Sequence, residues 1–158
     1  MKTSRSILIL MFSFVFLMVI GIVLAVHYRV PAELDCASCK PDTVSSDFFA
    51  KGTGITPPVV VVIPYLLFGL LIQKRALVGL LGNLGIFVIS CVYTIASILE
   101  PALTHVYQDA FDLKASGVLP AITYTIGAGI VVVIFVLNLQ NAISRLQTRQ
   151  TAPRTANA

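Results

Sequence analysis

The sequence predicts an all-α membrane protein, a four-helix transmembrane bundle with one amphipathic helix lying in the interface on the outer side. Three observations predict it. The chain has 158 residues, of which 57% are hydrophobic and only 11% charged. Its mean hydropathy is +0.92, whereas a soluble domain carries about 25% charged residues. The apolar residues gather into four long runs. All of the acids, Glu33, Asp35, Asp42, Asp47, Glu100, Asp109 and Asp112, fall in the first and third gaps between those runs.

A helix rises 1.5 Å per residue, so about 20 apolar residues cross the hydrocarbon core. Residues 7–26 form such a run with no charge inside it. Residues 55–72 are the second run and open with Thr56-Pro57-Pro58; residues 76–99 and 118–139 are the third and fourth. The first run begins after Lys2 and Arg5, as a signal peptide would, but it is longer than the roughly 7–15 residues of a signal h-region. It is therefore expected to stay as an anchor; cleavage would leave three spans. Gln73-Lys74-Arg75 is too short for anything but a tight antiparallel connection between the second and third spans.

Basic residues orient the bundle. Lys2, Arg5, Lys74, Arg75, Arg145, Arg149 and Arg154 lie on one side, and Arg29, Lys40, Lys51 and Lys114 on the other. The bias sits in short segments beside span ends, where the positive-inside rule operates. Both termini are thus expected in the cytoplasm, in a plasma membrane or a bacterial inner membrane. The net charge of +4 forms small clusters without interleaved aromatics, which argues against a nucleic-acid partner.

The first outer loop, residues 27–54, holds Pro31, Pro41, Gly52 and Gly54 and is expected to be irregular. The second, residues 100–117, repeats Leu103, Val106, Tyr107, Ala110 and Phe111 at three- and four-residue spacing, with polar residues between them. That is the pattern of an interfacial amphipathic helix. Residues 1–150 read as one four-span domain, and 151–158 as a disordered cytoplasmic tail. Close helix packing in lipid depends on small residues. Gly21 and Ala25, then Gly79, Gly82 and Gly85, then Ala121, Thr125 and Gly129 are expected to face inward.

Two groups could carry chemistry. Cys36 and Cys39 form a CxxC in the first outer loop. The pair reads as a local disulfide or idle thiols, as a redox-active dithiol, or as half of a metal site that Asp35, Asp42, His27 or His105 would have to complete. Asp35 beside the pair disfavours the thiolate that redox chemistry needs. No complete metal site is predicted.

The second group is a polar band in the outer half of the bundle: Tyr65, Tyr93, Thr94, Ser97, Thr123 and Tyr124, with Glu100 and His105 at its mouth. It reads either as interhelical hydrogen bonding or as a pocket for a lipid or other small ligand. Asn83 and Asn138 lie nearer the inner side and read as packing residues. No ionisable residue lies in the core of any span, whereas ion-coupled transporters and pumps place such groups there.

Four spans, both ends inside and a CxxC in the first outer loop are similar in layout to the bacterial quinone-reducing enzymes that make disulfides. That resemblance implies a thiol-disulfide oxidoreductase working through Cys36 and Cys39 with a quinone. The family carries a second cysteine pair in its second outer loop, whereas this chain has no cysteine after Cys91. The residues themselves favour a non-enzymatic bundle without a cofactor, associated with membrane lipids, a protein partner or a second copy of the chain. The oxidoreductase is the alternative, and a small transporter or channel subunit the third reading.

Overall fold

The computed structural model describes residues 2–28, 30, 52–53, 55–74, 76–99 and 102–151. These form five helices: α1 (Lys2–Tyr28), α2 (Val59–Leu71), α3 (Ala76–Leu99), α4 (Ala102–Phe111) and α5 (Ala115–Thr151). No strand forms among the described residues; Thr53 and Thr56 make an isolated bridge. Three helices, α1, α3 and α5, are long and apolar enough to cross a membrane.

The buried positions explain the packing. On α1 they are Ser4, Ile7, Met11, Phe14, Met18, Gly21 and Ala25. On α2 they are Val62, Tyr65 and Gly69, followed just past its end by Ile72. On α3, Gly79, Asn83, Ile86, Ser90 and Tyr93 are buried, and on α5 Gly127, Val131, Ile134, Asn138 and Asn141. Among these positions steps of three and four alternate, which is the 3.5-residue repeat of helices packed along a shared seam. The opposite faces are apolar as well: Phe12, Phe16, Val23, Leu77, Leu84, Ile95, Ile122 and Val133 are all exposed. An apolar surface of this extent is hidden only by lipid or by another chain.

α1 and α3 run in the same direction, and α2 and α5 run antiparallel to them, each packing against both. The termini end of the bundle gathers Ser4, the α2–α3 turn and Asn141; the far end gathers Ala25, Ile55, Val106 and Ala121. α4 folds back on α5, burying Val106 and bonding the Tyr107 hydroxyl to Thr125 Oγ1 at 2.8 Å. It ends in a C-terminal cap with Leu113 in the left-handed region, φ 56°, and Lys114 N–H donates to the Asp109 carbonyl at 2.9 Å. Gly117 is needed at this corner because a Cβ there would lie 2.3 Å from the Ala110 nitrogen. Lys114 Nζ bonds Asp109 and Asp112 at 2.9 and 3.3 Å. The bond to Asp109, more than that to Asp112, raises its pKa above the ordinary lysine value.

Three sequence expectations change. The helix of the second run starts only at Val59, because Pro57 and Pro58 supply no N–H and disfavour helical geometry before them. Gly52 and Thr53, expected in the irregular first loop, are ordered together with Ile55 and Thr56. Thr53 and Thr56 exchange backbone bonds of 3.0 and 3.2 Å and share a hydroxyl bond of 2.7 Å. α5 turns only Ala121 of its expected Ala121, Thr125 and Gly129 stripe inward. Gly129 is exposed with nothing near a built Cβ, and Thr125 is exposed and bonded to α4; Gly127 takes the buried place. The 3.5-residue seam selects 127, 131 and 134, which a four-residue stripe leaves within two turns. By contrast, Gly79 and Gly82 are buried, Gly82 against α2, and Gly21 against Thr56.

Candidate functional site

The short second helix leaves a hollow. At 13 residues α2 is about 20 Å long, against about 36 Å for the 24 residues of α3. Toward the far end, the corner of the bundle is therefore closed by the non-helical residues 52–53 and 55–58. Such backbone is tolerated at membrane depth where protein buries it, and Thr53, Ile55 and Thr56 are each buried. Beneath this roof lies a cavity of about 550 Å³. Phe14, Leu17 and Met18 of α1, Tyr93 and Thr94 of α3, and Gly127 and Val131 of α5 are among its wall residues.

An aromatic cluster borders the cavity. The rings of Phe14, Tyr65 and Tyr93 meet with centroids 5.7 to 6.3 Å apart. Tyr65 is completely buried, and its hydroxyl shares a 3.0 Å hydrogen bond with Ser90. The Tyr93 hydroxyl is also buried but has no hydrogen-bond partner among the described residues. A hydroxyl withheld from water and left unpaired costs about 1–3 kcal/mol. Among the described residues, no carboxylate, amine, imidazole or thiol lines the cavity. What the wall offers is apolar surface and a few hydroxyls, a composition suited to binding a small molecule.

Four residues of the polar band come together here: Tyr93, Thr94, Thr123 and Tyr124 all line the cavity. Tyr65 does not line it and sits behind Tyr93. Glu100, Cys36 and Cys39 lie outside the described residues, as do the side chains of Ser97 and His105. The sequence reading missed the contribution of α1 and the roof at residues 52–53 and 55–58. The buried repeat of α1 and the diproline carried that information.

A second polar assembly occupies the termini end. Asn83 Nδ2 donates to the Gly79 carbonyl at 3.0 Å, Asn141 Nδ2 to Asn83 Oδ1 at 2.9 Å, and Asn138 Nδ2 to the Asn83 carbonyl at 2.8 Å. Ser4 Oγ reaches Asn141 Oδ1 at 3.4 Å, and Gln73 Nε2 donates to the Ser4 carbonyl at 2.7 Å. Arg145 donates to the carbonyls of Lys74 and Ile72, satisfying orphan acceptors just beyond the end of α2. These bonds tie α1, α3, α5 and the α2–α3 turn together, so this end is solid where the other is hollow.

The chain matches no protein-family model, no curated protein and no solved structure.

Proposed function

We propose that this protein is a multi-pass membrane protein that holds a lipid-like small molecule between its helices, a lipid-associated bundle in place of an enzyme. In this reading α2 and its flanking residues make a fourth crossing. Both termini face the cytoplasm of a cell bearing the protein in its plasma or inner membrane. The observation that carries the reading is the roofed apolar cavity, walled by residues of α1, α3 and α5. A close-packed bundle would fill such a space.

Native mass spectrometry of protein released from membranes by mild detergent tests this. The expected result is a bound adduct on the wild type that is lost in Ala128→Trp, where a large side chain occupies the cavity from α5. Adduct-free wild-type protein, or equal adducts on both proteins, would refute the reading.

A further inference from the structure

The cavity is closed above and open at its sides. Above it, Thr53, Ile55 and Thr56 are buried, and Ile55 packs in one cluster with Ala25 and with Val106 of α4. At the sides, the exposed wall residues of α3 lie next to Tyr93, which itself is buried. Successive helix positions are rotated by about 100°, so Val92 and Thr94 flank Tyr93 on opposite sides. Val92 is 54% exposed, and Thr94 is exposed as well.

Each flank of α3 runs from a helix contact to a mouth of the cavity. On the α2 side, Gly85 lies against the Phe68 ring. Val92 follows seven residues later, nearly in line along the helix. On the α5 side, the Phe87 and Phe135 rings meet at 5.2 Å. Thr94 follows Phe87 by the same interval, and on α5 the wall residue Val132 is 50% exposed. The mouths also lie at a defined depth. Val92 and Thr94 precede Leu99, the end of α3, by seven and five residues, about 8–11 Å along the axis. A helix of about 36 Å centred on a hydrocarbon core of about 30 Å passes each edge by only about 3 Å. The mouths therefore open among acyl chains, below the level of head groups and water.

On this basis, and resting on the cavity being a binding site, we infer that it takes an acyl chain of a bilayer phospholipid. The chain enters sideways past α3, and the head group stays in the interface outside the bundle. The volume of about 550 Å³ lies within the range of about 300–1,000 Å³ for small-molecule sites.

Entry is read from α1. α1 and α3 each pack on α2 and α5, so Phe14 and Leu17 in the α1 wall lie across the cavity from the mouths. The chain has no tryptophan, so one introduced residue supplies all of its tryptophan emission. Phe14→Trp and Leu17→Trp proteins are reconstituted separately in vesicles of phosphatidylcholine brominated along its chains and compared with unbrominated vesicles. Phe12→Trp, on the exposed face of α1, reports direct contact with the bilayer chains. Both cavity reporters are expected to be quenched, as Phe12→Trp is. Adding Ala128→Phe, which places a ring in the cavity, should lower occupancy roughly tenfold and restore their emission. Quenching of Phe12→Trp alone overturns the acyl-chain inference. A bound adduct in native mass spectrometry would then still uphold the site, whereas its absence as well would remove the site reading. Quenching undiminished by Ala128→Phe also overturns the inference, because the bromines then act from outside the cavity. Quenching by free brominated stearate and not by the phospholipid would make a free acid the occupant and overturn the phospholipid as its source.

Discussion

Tyr65 and Tyr93 show how much one hydroxyl can decide. Both rings belong to the same aromatic cluster, and both tyrosines were legible as polar residues at similar depth. Their hydrogen-bond partners were not, because helix rotation sets those: Ser90 meets the Tyr65 hydroxyl, and none of the described residues partners the Tyr93 hydroxyl. Asn83 shows the opposite. Its amide oxygen accepts from Asn141 while its own amide donates to Gly79, so one side chain closes contacts between α3 and α5. Asn83→Ala should lower stability against denaturant in micelles by about 1–3 kcal/mol, because the buried Asn141 amide loses its acceptor. An unchanged unfolding midpoint would mean that Asn141 finds another partner. Lys114 contributes in a defined pH range. Its raised pKa means that its bonds to Asp109 and Asp112 are fully present below the ordinary lysine pKa and fade as the pH rises through the raised value.

At the scale of the helix, glycine has two meanings in this chain. A Cβ at Gly82 would sit 2.8 Å from the Ile72 nitrogen and 2.9 Å from the Phe68 carbonyl oxygen, both backbone atoms of the neighbouring segment. Gly82→Leu therefore has to push α2 and α3 apart, and a loss of about 1–3 kcal/mol is expected from overpacking. Gly129 meets nothing within 4 Å, so Gly129→Leu should be neutral or slightly stabilising, as helix propensity favours leucine. Thermal unfolding of the two variants in the same detergent checks the contrast; equal losses would mean that the seam on α5 is misplaced. The glycines of α3 could be read as a packing face because they recur within one short run. The face of α5 could not, since its inward residues are mostly large and its small residues lie on two sides. The 13-residue α2 is a further case. Hydropathy alone extends that run to Ile55, whereas the two prolines halt the helix at Val59 and so create the roof.

For the whole molecule, the all-helical membrane-type architecture was readable because hydropathy and charge asymmetry are averaged over long segments and do not depend on side-chain contacts. The cavity is a different kind of feature. It arises from a mismatch in helix length and from three helices meeting at one level, neither of which a linear pattern records. The proposed orientation is open to reporter fusions placed after Gln73 and at the C-terminus: both should report cytoplasm, and a split result would contradict the four-crossing topology. The cavity is tested most directly by photolabelling in vesicles with a neutral alkyl diazirine, followed by peptide mapping. An occupied cavity predicts adducts on the buried residues Phe14, Tyr93 and Val131 that excess methyl oleate removes. Adducts confined to outward residues such as Phe12, Phe16 and Val133, with no competition, would contradict it.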